Sequence, residues 1–85
     1  MSDIARKVKR RLLQVLGCPE WVPLVARRLQ VLHFVGNNQE YRKATITQEF
    51  YHGIVMSYDN GSTIQYDWLE LWDLLREDMV RPITT

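Results

Sequence analysis

A single cysteine, Cys18, stands in this chain of 85 residues. No intrachain disulfide is therefore possible, and a reducing compartment is the simplest setting. Long apolar runs are missing as well. Val31 and Leu32, followed by Phe34 and Val35 beyond His33, form the longest of note, far short of the roughly 20 residues of a membrane span. The opening Met1-Ser2-Asp3-Ile4 has no apolar leader and no small-residue cleavage site, so a cytoplasmic location is expected rather than a secretory one. Four glycines build neither a P-loop nor a G-x-G-x-x-G fingerprint, which removes the usual phosphate cradles. One cysteine and two histidines without paired spacing exclude the usual structural zinc sites. No G-x-S-x-G is present, and Cys18 precedes a proline in a connector, where a packing role fits better than nucleophilic chemistry. The expectation is a non-enzyme that needs neither metal nor cofactor.

What is present fits one small globular domain over residues 1–85, with residues 80–85 as a flexible tail. Hydrophobic residues make up 46% and charged residues 25% of the chain, an ordinary balance for a folded domain. So short a chain buries only about 60 to 65% of its extended surface, which leaves it marginally stable without help from a partner.

The formal net charge of +1 conceals a division near Lys43. Residues 1–43 carry nine bases against three acids, a net +6, whereas residues 44–85 carry two bases against seven acids, a net −5. Such asymmetry suits a basic footprint for nucleic acid or an acidic partner, or else two halves that neutralise each other.

Along residues 4–16, Ile4, Ala5, Val8, Leu12, Val15 and Leu16 gather into an arc of about 120° on a helical wheel, with Arg6, Lys7, Lys9 and Arg10 opposite. Ser2 or Asp3 suits the N-cap, and Gly17 the left-handed stop, with Pro19 beyond it. Leu13 falls on the basic side and is expected to be exposed. Cys18 to Pro23 form a proline-stiffened connector, in which Trp21 is the aromatic most suited to partial exposure and to anchoring an interface. For residues 23–34, Leu24, Val25, Leu29, Leu32 and Val35 recur at helical spacing, while Leu29, Val31 and Val35 also alternate as in a strand. The helix formers Ala26 to Gln30 favour a second helix.

After the turn cluster Gly36-Asn37-Asn38-Gln39, β-branched and aromatic residues take over, with Asp59-Asn60-Gly61 as a hairpin turn joining Val55–Tyr58 to Ser62–Tyr66. Gly53 marks a bulge or a close backbone approach. Asn60-Gly61-Ser62 also matches a glycosylation sequon, but the turn explains it better. Asp67 and Glu70 have the spacing of a capping box, opening a helix to Met79 with a stripe of Trp68, Leu71, Trp72, Leu75 and Met79. Its other face carries Glu70, Asp73 and Glu77, which suit solvent or a partner better than a divalent cation. His33 is expected at the polar edge of the second helix, and His52 on a strand.

The stretch from Phe50 to Gly61, continuing to Tyr66-Asp67, resembles the strand-turn-strand of Tudor-like small barrels. Such barrels need further strands and an aromatic cage, and here a helix follows, so no residue role is carried over.

The expected fold is α+β: two N-terminal helices, a small antiparallel sheet around the hairpin, and a C-terminal amphipathic helix. The expected function is a binding module acting through protein contacts, as small regulators or mobile-element and phage-type inhibitors of larger machines do. Its candidate contact residues are Arg6, Lys9, Arg10, Trp21, Arg27, Arg28, Glu70, Asp73 and Glu77. A nucleic-acid-binding regulator using Arg6, Lys9, Arg10, Arg27 and Arg28 is the alternative. A salt-sensitive homodimer, acidic helix against basic helix, follows from the charge division. No membrane association is expected, because the basic helix lacks an aromatic on its apolar arc.

Overall fold

A computed structural model describes residues 3–83. It is α+β, with helix α1 (Asp3–Val15), strands β1 (Arg28–Val35), β2 (Asn38–Phe50), β3 (Gly53–Tyr58) and β4 (Thr63–Asp67), helix α2 (Trp68–Arg76) and a short β5 (Val80–Arg81). The five antiparallel strands lie in the order β4-β3-β2-β1-β5. Of the N-cap candidates for α1, Ser2 lies outside the described residues and Asp3 opens the helix itself.

Both helices stop in the same way. In α1 the Cys18 N–H donates to Leu13 O (2.9 Å) and the Gly17 N–H to Gln14 O (3.1 Å), with Gly17 at φ 71°. In α2 the Met79 N–H donates to Leu74 O (2.9 Å) and the Asp78 N–H to Leu75 O (3.2 Å), with Asp78 at φ 57°. These paired bonds satisfy carbonyls that the helix end would leave bare. They end α2 at Arg76, short of the expected Met79. The α2 start is the capping box: Glu70 N–H donates to Asp67 Oδ1 (2.7 Å), and Asp67 N–H to Glu70 Oε1 (3.2 Å).

The second helix expected at residues 23–34 does not form. Residues 28–35 are β1 instead, paired with β2 from Arg28↔Thr45 to Val35↔Asn38 around a two-residue turn, Gly36-Asn37. Gly36, at φ 61°, supplies the positive φ that such a tight hairpin demands. Ladder bonds to a distant segment outweigh the modest helix propensity of Arg28, Leu29 and Gln30, and Leu29 and Val31 bury one strand face. His33 accordingly sits on a strand. His52 does not; it lies in the turn between β2 and β3.

The tail is corrected too. Val80, 1% exposed, pairs with Val31 on the free side of β1, and Arg81 pairs with Gln30; Thr84 and Thr85 lie outside the described residues.

Strand alternation places Leu29, Val31, Ala44, Ile46, Ile54, Met56, Tyr58 and Tyr66 on an inner face, all buried. Ala5, Val8 and Leu12 of α1, with Trp68, Leu71 and Leu75 of α2, complete the same core. Leu13 belongs to it as well, only 2% exposed, because the connector with Val22 folds over that flank of α1. A register shift between Ile46 and Gln48 inserts Thr47 as a bulge, after which Gln48 opposes Val55 and Glu49 opposes Ile54. The extra residue inverts the parity of β2 and swings Glu49 to the inner side, toward α1. Gly53 is a close approach rather than the bulge, since a Cβ there would lie 1.9 Å from Tyr66 O.

Candidate interaction site

The bulge has an electrostatic product: Lys9 Nζ on α1 reaches Glu49 Oε2 at 2.8 Å, both about one-quarter exposed. At the next position along the helix, Arg10 stands 3.4 Å from Glu20. Between them opens a groove of about 400 Å³, walled by Arg6, Lys9 and Arg10 on one side and by Glu20, Trp21, Val22, Pro23 and Glu49 on the other, with Leu13 in its lining. Trp21 is 82% exposed. Its backbone is held by the flanking prolines and by the Val22 N–H bond to Pro19 O (3.3 Å). The structure thus brings together Arg6, Lys9, Arg10 and Trp21 of the expected contact residues.

Arg27 and Arg28 are elsewhere. Arg28 lies on the outer sheet face and grips Asp59 with two bonds (2.8 and 3.2 Å) and Thr45 Oγ1 with a third (2.8 Å). The hydrogen bonds from Arg28 hold the Asp59 carboxyl below its ordinary range, and the same bonds raise the Arg28 guanidinium. Arg27 is half-buried, and its Nε is shielded from solvent without a hydrogen-bond partner. The Arg27 backbone extends the ladder instead, through the Ile46 N–H bond to Arg27 O (3.0 Å).

The acidic trio is likewise committed locally. Glu70 closes the capping box, Asp73 pairs with Arg76 at 3.0 Å, and Glu77 is the C-cap of α2. Among the described residues, no group of three or more His, Cys, Asp or Glu is placed to hold a metal ion. The pairs Lys9–Glu49 and Arg28–Asp59 join the basic half of the chain to the acidic half. Arg6, Lys7 and Arg11, by contrast, make no ion pair with a described acid. With Asp3, Arg10 and Gln14 they line a second groove of about 410 Å³ that ends on the half-buried Trp72 of α2.

A polar chain that sequence reasoning did not single out crosses the inner sheet face. His33 Nε2 lies 2.9 Å from Tyr58 Oη, which lies 2.7 Å from Tyr66 Oη. Burial, together with their mutual hydrogen bond at Tyr58, pushes that hydroxyl up; burial also raises Tyr66. Both hydroxyls remain protonated; they hydrogen-bond each other, and Tyr58 Oη also lies within hydrogen-bond distance of the His33 ring nitrogen. Burial, then the nearby Arg42 charge, hold the His33 imidazole below its ordinary value, against a smaller opposing effect of Glu40. Glu40 and Arg42 pair with each other at 2.7 Å. For the two tyrosines the signal in the sequence was parity: counting by twos from the Asn-Gly turn puts Tyr58 and Tyr66 on the face of Met56 and Ile54, whereas His33 gave none, because its segment reads locally as a helix.

No family model, curated protein or solved structure matches the chain. No helix among the described residues is long and apolar enough to cross a membrane.

Proposed function

We propose that the protein is a non-catalytic binding module that docks on another protein through Trp21 and the groove beneath it, as a small regulator or inhibitor of a larger machine would. The supporting observation is an indole 82% exposed on a proline-braced turn. A rigid aromatic loses little entropy on binding and buries a large apolar area, the property of interface anchors. The groove carries both charge signs, Arg6 and Arg10 facing Glu20 and Glu49. A polyanion entering it would meet two carboxylates, whereas a protein surface can match both signs.

The second reading is nucleic-acid binding, favoured by the unpaired Arg6, Lys7 and Arg11 beside Trp72. Two measurements separate the readings. A photo-crosslinker at position 21, in extract of the protein's own cells, is expected to yield a discrete protein adduct that a crosslinker at exposed Gln65 does not. Trp21→Ala is expected to weaken binding of the adduct partner about 30-fold, the equivalent of a hot-spot loss near 2 kcal/mol. Fluorescence titration with duplex DNA, single-stranded DNA and RNA at about 50 mM salt is expected to show no binding. Binding there that falls steeply by about 200 mM salt, and is lost in an Arg6→Ala/Arg11→Ala variant, would replace the first reading with the second.

A further inference from the structure

Strand β4 is the last of the sheet, with β3 on one side alone among the described residues. Two bonds fix which of its main-chain groups turn inward. Ser62 O accepts from Tyr58 N–H (2.8 Å), and Trp68 N–H donates to His52 O (3.1 Å). Between them the pairing runs from Ser57↔Thr63 to Gly53↔Asp67 without a shift, so the even-numbered residues of β4 bond to β3 and the odd-numbered ones turn the other way. Of the neighbouring N–H groups, that of Asp67 is taken by Glu70 Oε1 (3.2 Å), and that of Gly61 turns inward to Tyr58 O (2.9 Å). The N–H and C=O groups of Thr63 and Gln65, both exposed residues, are left facing outward along the edge. Helix α2 does not obstruct it, because the chain runs from Asp67 at this edge across the sheet to Val80 beside β1.

Free edges are commonly guarded by charge, proline or a bulge. Between Asn60 and Tyr66 this edge has none of the three. Outward-facing residues must oppose outward-facing residues, so a two-fold axis can fall at Thr63, Ile64 or Gln65. An axis at Thr63 also asks for the Gly61 N–H, which turns inward, and one at Gln65 asks for the Asp67 N–H, which Glu70 holds. An axis at Ile64 sets each Thr63 opposite the Gln65 of the other copy and uses the four free groups and no others. We infer that β4 pairs antiparallel with β4 of a second copy of this chain about a two-fold axis at Ile64, fusing two five-stranded sheets into one.

About four main-chain bonds form, two in each Thr63–Gln65 pair. The half-buried Ile64, which already packs on the core, faces its own copy at a closely spaced position of the ladder and carries the apolar layer across the seam. At each flank Asp67 lies opposite Gly61, which has no side chain to displace Glu70. The area is small, so the dimer is weak, with a dissociation constant on the order of 0.1 mM. At about 1 µM it is scarcely populated, so a crosslinker at Gln65 remains a control for one at Trp21. The dimer uses no residue of the Trp21 groove and stands or falls separately from the function proposed above. No charge meets across the seam, which sets it apart from an acidic helix against a basic one: salt leaves it unchanged.

Sedimentation velocity from about 10 µM to 1 mM is expected to show wild type rising from a 10.1 kDa monomer toward twice that mass, equally at about 50 and 500 mM salt. Two double variants place new charges at the same positions in different order. Thr63→Lys/Gln65→Lys sets ammonium opposite ammonium and is expected to remain monomeric at the lower salt. Thr63→Lys/Gln65→Glu sets ammonium opposite carboxylate and is expected to dimerise at least as readily as wild type there. Gln65→Pro removes an outward N–H but no bond to β3, and is expected to abolish dimerisation with the circular dichroism spectrum unchanged. Wild type that stays monomeric at 1 mM or dissociates at the higher salt, a double-lysine variant that dimerises undiminished, or a lysine–glutamate variant that stays monomeric would each overturn the assignment.

Discussion

The inner sheet face is buried by two different means. Leu29, Ala44, Ile46, Ile54 and Met56 are each fully buried in the core shared with α1 and α2, and none of these side chains needs a hydrogen bond. Tyr58 and Tyr66, directly across from Ala44 and Ile54, are 3% and 9% exposed, yet each brings a hydroxyl that must be satisfied, and His33, Arg42 and Glu40 continue the chain toward the open hairpin. Apolar burial is tolerant of partner but intolerant of lost volume. Polar burial is the reverse: shape matters less than whether every donor still has an acceptor.

Substitutions in the apolar and in the polar part should therefore differ in size and in kind. The largest effect is expected from Ile46→Ala, which opens a void between strands and helices and should cost about 3 kcal/mol in denaturant unfolding with an unchanged m-value. Tyr66→Phe keeps the volume and deletes the last hydroxyl of the polar chain, and should cost about 1 kcal/mol; a loss as large as that of Ile46→Ala would erase the distinction. The smallest effect is one of pH. Because the folded protein holds the His33 imidazole below its ordinary value, the unfolded chain takes up that proton first as pH falls. Stability from this group is intact above about pH 6.5 and is lost as pH drops toward the lower folded value. Denaturation midpoints at about pH 7.5 and 5.5 should show the loss, and His33→Gln should shrink it.

How much of this is legible in the sequence follows the range of the interactions. Helix α1, the Asp59-Asn60-Gly61 hairpin, the Asp67–Glu70 capping box and the Gly17 stop are set by residues within one or two turns of each other, and the structure places them where the spacing predicts. Residues 28–35 mislead because their partner strand lies beyond a turn, and local propensity is nearly balanced. The Gly36-Asn37 turn is visible, but it reads as a boundary between helix and strand rather than as the tip of a hairpin. The bulge at Thr47 leaves no mark in composition, and without it Glu49 would face away from α1. Of the candidate contact residues, Arg6, Lys9, Arg10 and Trp21 converge because three share a helix face and the connector folds back over it. Arg27 and Arg28 belong with that cluster only through the helix that does not form.

The order of elements along the chain also bears on how the protein is made. Helix α1 precedes its cover, for the surface that buries Ala5, Val8 and Leu12 is built from strands and a helix that extend to Leu75. At typical translation speeds of about 5 to 20 residues per second, that apolar stripe waits several seconds on the ribosome before its cover has been synthesised. During that interval the exposed Arg6, Lys7, Arg10 and Arg11 on its other face give the segment a charged surface that opposes association of the waiting stripe, whether or not the finished protein uses those charges to bind.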